Sequence, residues 1–301
     1  MSERRKRQGI MLARPYERRR LTLRKFGWSD SETVLIQPKL DGERCLANST
    51  DSKSVLLTTS TGLWFTHLHH IKSELFTRIF VRRSRLVLDG ELYRHNTPFE
   101  WIHSVASQEI APHEEEESLE YHVFDIKIPG YAQTERLNLL EIIFDGVPAN
   151  SPIKLVPTKE VANNYQLVEE AINLAVSQAY EGIIIRHPFG EYEEKRSSWV
   201  MKFKPRSFDQ YPIVDVVEAV DKYGEQKGMV GAFVVEDEMG RFEVGAGTLN
   251  HQGRVWVWNN SQEVLNKPLV VAYNSKTSNG IPRHAVALSI IGIPDNFLRP
   301  Q

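Results

Sequence analysis

The stretch 37–44 (Gln-Pro-Lys-Leu-Asp-Gly-Glu-Arg) sets a lysine between an apolar run and a turn. Residues 33–36 before it and 45–47 after it predict strands, so Lys39 is expected at a strand end with its side chain free to enter a pocket. A lysine attacks phosphorus only as the neutral amine, and burial or a nearby cation such as Arg44 or a metal would lower its pKa. Because Asp-Gly is also a common hairpin turn, the segment alone fits a surface turn equally well.

Further charged groups follow at the ends of predicted strands. Asp-Gly-Glu at 89–91 interrupts the apolar strand 86–92, and Glu181-Gly182 opens the apolar strand 183–186. Lys202 and Lys204 share one strand face because side chains two residues apart point the same way. Two adjacent ammonium groups repel unless an anion, such as a phosphate, lies between them. Each motif alone also fits an exposed strand end or face.

The run 121–126 alternates as a strand and carries the pair Phe124-Asp125. An aromatic ring here can stack on a purine or simply belong to the core. His67, His69 and His70 are expected on a solvated helix face, since partners at metal-ligand spacing are missing. The acidic run 114–117 is expected to be a solvated loop.

Taken in order, these motifs resemble those of the covalent nucleotidyltransferases, which comprise ATP-dependent DNA ligases, RNA ligases and mRNA capping enzymes. The resemblance runs from Lys39 to Arg283 and implies that Lys39 attacks the α-phosphorus of ATP. It implies Mg²⁺, or Mn²⁺, held by Glu181 and Glu91. The residues that it assigns to the nucleotide are Gln37, Arg44, Glu91, Phe124, Lys202, Lys204 and Arg283.

Within that superfamily the chain is most similar to small ATP-dependent DNA ligases. This implies sealing of 3′-hydroxyl and 5′-phosphate ends at nicks in duplex DNA through a lysyl-AMP intermediate, in DNA repair, replication or recombination. The alternatives are an RNA ligase, a capping guanylyltransferase and a catalytically inactive nucleic-acid-binding relative. Glu181-Gly182 favours a ligase over capping enzymes, which often have Asp-Gly, and RNA ligases usually lack the C-terminal barrel expected here.

Two positions depart from the ligase pattern. The turn at 59–62 reads Thr-Ser-Thr-Gly, so Ser60 stands where DNA ligases usually have an arginine that helps to hold the phosphate of the nick. Ile291 stands where a second basic residue is usual near the end of the last motif. Both departures put the efficiency of the enzyme and its choice of nick in question.

The elements that must position these residues suggest an α+β protein. A basic arm and lead-in (1–25) precede a nucleotidyltransferase (adenylation) domain (26–208) with antiparallel sheets and flanking helices, and an OB-fold β-barrel (209–301) follows. Helices are predicted near 67–80, 99–108 and 161–179 from apolar residues at helical spacing. Short segments separated by glycine-containing turns predict barrel strands at 230–235, 241–244, 255–258 and 269–274.

Composition narrows the class of protein. The 301 residues are 41% hydrophobic and 25% charged, with a single cysteine, Cys45, so a reducing, cytoplasmic location is expected. Apolar runs long enough for a membrane span are missing. Residues 1–25 carry net charge +8 against −10 for the remainder, which favours a polyanion partner. We expect a monomer that clamps nicked duplex DNA between its two domains.

Overall fold

A computed structural model describes residues 9–22, 27–50, 54–83, 85–205, 207–273, 275–277, 280–293 and 297. Much of the predicted basic arm, including Arg4, Arg5, Lys6 and Arg7, lies outside the described residues. The chain divides into two compact units, Met1–Lys204 and Pro205–Gln301. In the described part of the chain, none of the helices is long and apolar enough to cross a membrane.

The first unit contains ten strands and five α-helices among its described residues. The strands are β1 Leu12–Pro15, β2 Thr33–Lys39, β3 Glu43–Thr50, β4 Ser54–Thr59, β5 Val87–Tyr93, β6 Glu120–Ile126, β7 Ile153–Leu155, β8 Lys159–Ala162, β9 Gly182–Arg186 and β10 Arg196–Phe203. The helices are α1 Arg18–Thr22, α2 His69–Leu75, α3 Phe99–Ala106, α4 Gln133–Phe144 and α5 Tyr165–Ser177. A π-helical turn, Phe76–Phe80, continues α2.

Two five-stranded sheets form the frame of the first unit, with strand orders β1-β10-β9-β2-β8 and β4-β3-β5-β6-β7. The pairs β1/β10 and β6/β7 are parallel and the other pairs are antiparallel. Leu57, Leu88 and Val123 belong to the core of the second sheet, and Val34 and Ile183 to a core beside the first. Since β2 and β3 lie in different sheets, the turn after Lys39 carries the chain from one sheet to the other.

The second unit is a closed five-stranded barrel with the order β11-β12-β13-β17-β14, in agreement with the predicted OB-fold barrel. Apolar side chains such as Phe233, Val244 and Leu269 fill its core. The strands are β11 Ser207–Val220, β12 Gln226–Asp237, β13 Gly240–Gly245, β14 Pro268–Tyr273, β15 Ser275–Lys276, β16 Pro282–Arg283 and β17 Val286–Ile290. The helices are α6 His251–Asn259 and α7 Ser261–Val264.

Two predicted elements are wrong in type or extent. Residues 255–258, predicted as a strand from their valines and tryptophans, belong to helix α6. The Asn250 side chain caps that helix by accepting a hydrogen bond from the Gly253 N–H (2.8 Å), and Gly253 and Val257, one turn apart, are buried. The helix predicted over 161–179 begins only at Tyr165, because the residues before it pair with β2 as strand β8.

Candidate active site

Lys39 is the last residue of β2 and lies opposite Gly182 in the pairing with β9. The Glu181 N–H donates to the Lys39 carbonyl (3.1 Å), so the strand register sets the two side chains side by side. The Lys39 ammonium contacts the Glu181 carboxylate and also donates to the Leu40 carbonyl (3.1 Å). Gly182 has φ +152°, and a Cβ there would lie 2.2 Å from the Phe203 carbonyl oxygen. Only glycine therefore fits next to Glu181.

The turn after Lys39 packs closely against β5, the strand that carries Glu91. A Cβ on Gly42 would lie 2.2 Å from the Leu92 carbonyl oxygen, so the turn after Lys39 can pack against β5 only with glycine at this position. Arg44 pairs with Glu91 in the ladder between β3 and β5. The Arg44 guanidinium donates to both oxygens of the buried Asp89 carboxylate (2.9 and 2.5 Å), a bidentate geometry that fixes its direction.

Lys204 lies just beyond the end of β10 and contacts the other oxygen of Glu181. Glu181 is therefore held between two ammonium groups, from Lys39 and Lys204. Lys202 lies opposite Ile184 in the pairing of β10 with β9. Lys202 and Lys204 both line the cavity that contains Lys39, although only Lys202 belongs to strand β10.

The cavity in the first unit measures about 340 Å³, which is within the size range of small-molecule sites. It lies where the two sheets meet and also takes residues from β1. Its charged lining residues are Lys39, Glu43, Arg44, Asp89, Glu91, Asp125, Arg186, Arg196, Lys202 and Lys204. Gln37, Ser60 and Phe124 also line it. The mixture of six cations with four carboxylates suits an anionic ligand whose charge the cations can balance.

Burial shifts the pKa values of two groups that line the cavity, Lys39 and Glu91. It lowers the pKa of Lys39, and Arg44 lowers it further, while Glu91 and Asp41 oppose the change. It raises the pKa of Glu91 to about 7, against the opposite influence of Lys39 and Arg44. Both changes disfavour charge in a partly desolvated site. The Lys39 amine consequently reaches its neutral, nucleophilic form at a lower pH than a solvated lysine.

Gln37 and Phe124 form the wall of the cavity on the side of β6. The Gln37 side chain is 2% exposed; its Oε1 accepts from Arg186 Nε (2.7 Å), and its Nε2 donates to the Phe124 carbonyl (3.1 Å) and to Thr158 Oγ1 (2.9 Å). Its amide is thus engaged with protein groups. The half-buried Phe124 ring has the guanidinium carbons of Arg44 and Arg186 at 5.0 and 5.5 Å from its centroid.

A buried charge network that the sequence analysis missed adjoins this wall, and three of its members, Asp89, Asp125 and Arg186, line the cavity. Asp125 accepts hydrogen bonds from Arg136 Nε and Arg186 Nη1, each at 2.8 Å, and Tyr192 Oη donates to Asp89 (2.6 Å). The sequence feature that could have indicated this network is a charged residue in an otherwise apolar strand, such as Arg186 at the end of Gly-Ile-Ile-Ile-Arg. A buried charge requires a partner, so Arg186 could be expected to pair with a residue on another strand.

The described residues contain no ready-made cluster of three or more His, Cys, Asp or Glu side chains that could hold a metal ion. His67 and His69 contact each other edge to face, and His70 bonds to the Leu119 carbonyl (2.9 Å). Mg²⁺ commonly uses one or two carboxylates and completes its shell with water and substrate phosphates. Glu181 fits that pattern once a ligand separates it from its two ammonium partners.

Three predicted positions remain: Ser60, Arg283 and Ile291. Ser60 lines the cavity. Arg283 belongs to strand β16 of the second unit and pairs with Ser275, while Ile291 follows β17 and is 46% exposed. The role assigned to Arg283 stays a prediction.

Comparison with known proteins identifies both units. Residues 10–204 match the family model described as ATP dependent DNA ligase domain, and residues 223–290 match the DNA ligase OB-like domain. The DNA ligase of African swine fever virus (isolate Warthog/Namibia) is 30% identical over 209 residues, covering 65% of this chain and 47% of the viral protein. The chain thus spans about half the length of that relative. The DNA ligase of Haemophilus influenzae is 25% identical over 201 residues, covering 66% of this chain and 69% of the relative.

Solved structures support the same fold. A structure titled Pmar-Lig_PreS3 has a TM-score of 0.78 at 22% identity and covers 94% of this chain and 68% of its own. A structure from a study of Lig E DNA ligases has a TM-score of 0.71 at 21% identity and covers 94% and 98%. The fold is therefore a nucleotidyltransferase unit followed by an OB-like barrel. With a family model matched over most of its length, this chain belongs to the ATP-dependent DNA ligase family.

Proposed function

We propose that this protein is an ATP-dependent DNA ligase that seals nicks in duplex DNA through a lysyl-AMP intermediate on Lys39. The observation that carries the proposal is the position of Lys39, at a strand end in a cation-rich cavity where burial lowers the pKa of its amine. Its relatives are named DNA ligases, and a buried lysine among cations supports nucleophilic attack on phosphorus.

In the first proposed step, the neutral Lys39 amine attacks the α-phosphorus of ATP. A nitrogen–phosphorus bond forms, the bond from that phosphorus to the pyrophosphate oxygen breaks, and pyrophosphate leaves. The Lys39 ammonium must first lose one proton to solvent and break its contact with Glu181, which the lowered pKa favours, and the nitrogen releases a second proton to solvent once the nitrogen–phosphorus bond has formed. Lys202 and Lys204, which line the same cavity, are proposed to balance the charge that develops on the phosphoryl oxygens.

Glu181 is the residue we propose for Mg²⁺, or Mn²⁺, that accompanies ATP. Its carboxylate lies between the attacking amine and Lys204, and entry of the phosphates would draw both ammonium groups away from it. The ion would neutralise phosphate charge when bound. Glu91, with a pKa of about 7, is a weaker ligand near neutral pH because part of it is protonated.

Phe124 and Gln37 are proposed to form the end of the cavity that receives the base. Arg44 and Arg186 flank the Phe124 ring, which leaves a wall of aromatic and planar cationic groups suited to a purine. Gln37 holds the Phe124 main chain and Arg186 in place, so we propose that it acts by positioning these groups.

The later proposed steps pass the AMP group to DNA. The 5′-phosphate at the nick attacks the lysyl-AMP phosphorus and frees the Lys39 amine, after which the 3′-hydroxyl attacks the 5′-phosphate and AMP leaves. Arg44, held by Asp89 at the cavity wall, can contact phosphate in each step. We propose one nicked duplex per protein molecule.

Sealing of a 5′-labelled nicked duplex with ATP and Mg²⁺ tests the proposal, and denaturing gels would show the longer product strand. We expect sealing of the DNA duplex, little reaction with GTP, and loss of sealing when EDTA is added. Parallel duplexes with RNA on one side of the nick test the RNA ligase alternative. Preferential sealing of RNA, or labelling with GTP but not ATP, would contradict the proposed substrate class.

A further inference from the structure

A buried tyrosine hydroxyl links strand β1 to a carboxylate of the cavity wall. Tyr192 lies in the connection between β9 and β10 and is 8% exposed. Its hydroxyl accepts a hydrogen bond from the Met11 N–H (3.3 Å) and donates one to Asp89 Oδ2 (2.6 Å). Met11 and Asp89 line the cavity, and Tyr192 is not among the described residues that do. Tyr192 therefore contacts the cavity wall without belonging to it.

The surroundings of Tyr192 fix the direction in which its hydroxyl donates. A hydroxyl has one hydrogen to give, and because the Met11 N–H occupies a lone pair, that hydrogen goes to Asp89. Burial, and next the charge of Asp89, raise the pKa of Tyr192, so the hydrogen stays on the oxygen at neutral pH. The ring packs with Met11 and Val200 in a small core, and the Arg136 guanidinium carbon lies 5.7 Å from its centroid.

The Asp89 carboxylate passes this constraint to Arg44. Asp89 is 0% exposed, and its Oδ2 accepts from both Tyr192 Oη and Arg44 Nη2, while its Oδ1 accepts from Arg44 Nε. A carboxylate turns easily about its last side-chain bond, and donors from two different side chains prevent this. The Arg44 guanidinium, which lines the cavity, is thereby kept in one orientation.

We propose that Tyr192 is a positioning residue for Arg44 in self-adenylation. The inference rests on the proposed function, in which Arg44 contacts phosphate. A guanidinium binds phosphate through a planar fork, so its orientation matters, whereas a lysine ammonium acts as a point charge. Loss of the Tyr192 hydroxyl would let Asp89 turn and Arg44 follow it. Since a displacement of about 1 Å can cost on the order of 100-fold in rate, even a partial change of orientation should be measurable.

Single-turnover self-adenylation with [α-³²P]ATP and Mg²⁺, at saturating ATP, tests the inference. Tyr192→Phe, which keeps the packed ring, should slow the reaction by about 10-fold. Tyr93→Phe is the matched control, because Tyr93 is 4% exposed, its hydroxyl bonds with His95 Nδ1 (2.7 Å), and it is not among the described residues that line the cavity. The control should react at the wild-type rate. Rates would be measured below the thermal midpoint of the least stable variant.

The same substitution in an Arg44→Lys protein separates positioning from general support of the fold. With no fork to orient, Tyr192→Phe should change the rate of Arg44→Lys by less than about two-fold. An equal slowing by Tyr192→Phe in both backgrounds, or a wild-type rate for Tyr192→Phe alone, would overturn this inference and leave the proposed function standing. A wild-type protein that forms no lysyl-AMP would overturn the proposed function and this inference together.

Discussion

Replacement of Asp125 by alanine should strongly destabilise the first unit. The Asp125 carboxylate is 0% exposed and accepts from Arg136, Arg186 and the Ile126 N–H, each at 2.8 Å. Its removal leaves two guanidinium groups buried without their counter-charge, since Arg136 is 0% and Arg186 5% exposed. Breaking a buried ion pair in this way costs about 3–5 kcal/mol. We expect about 3 kcal/mol, because Arg136 keeps hydrogen bonds to the Tyr131 and Gly190 carbonyls.

Urea unfolding at pH 7, followed by tryptophan fluorescence and circular dichroism, would measure this loss. For a slope of about 1–3 kcal/mol per molar urea, the midpoint of the first unit should fall by about 1 M or more. Glu194→Gln is the control in the same unit, because Glu194 is half exposed and pairs with Lys127 at 2.7 Å. Its loss should stay below about 1 kcal/mol. An Asp125→Ala loss no larger than the control loss would refute the reasoning.

Three further predictions concern the metal, the second unit and pH. Glu181→Ala should slow self-adenylation by on the order of 100-fold and Glu181→Asp far less; equal rates for wild type and the alanine variant across a Mg²⁺ titration would exclude a metal role. Arg283→Ala should slow self-adenylation by on the order of 1,000-fold, because the family resemblance assigns Arg283 to the nucleotide, yet seal a pre-adenylated nick; a wild-type adenylation rate would contradict that assignment. Burial lowers the pKa of His187, so its contribution to stability is complete above about pH 6.5 and is lost as the pH falls through the lowered pKa. Urea midpoints should therefore fall less between pH 7 and pH 5 in His187→Asn than in wild type, and the exposed His251→Gln should show the wild-type fall.

Local patterns were sufficient to predict the strands that carry the candidate site. Lys39 at the end of β2 and Lys202 near the end of β10 follow from apolar runs that end in charged residues, and Glu91 follows from an acidic interruption of the apolar strand β5. The motif glycines could be singled out as well, and the structure supplies the reason, which is contact with a neighbouring main chain at Gly42 and Gly182. Sequence order alone could not give the contact of Glu181 with both Lys39 and Lys204, because strand pairing produces it.

Other features depend on capping and long-range pairing that a local pattern does not contain. The valines and tryptophans at 255–258 favour a strand, but the cap from Asn250 and burial at helical spacing give α6. The pairing of Arg186 with Asp125 and Gln37 joins residues from three strands in two sheets. Sequence could indicate that Arg186 needs a partner, and only the fold identifies which residue it is.

Mapping of the covalent adenylate tests the central claim most directly. The protein would be incubated with [α-³²P]ATP and Mg²⁺, digested, and the labelled peptide identified by mass spectrometry, beside Lys39→Ala and Lys39→Arg. We predict an acid-labile AMP group on the peptide that contains Lys39, and no label on either variant, since arginine stays protonated. AMP on another residue, or label on Lys39→Ala at the wild-type yield, would contradict the account.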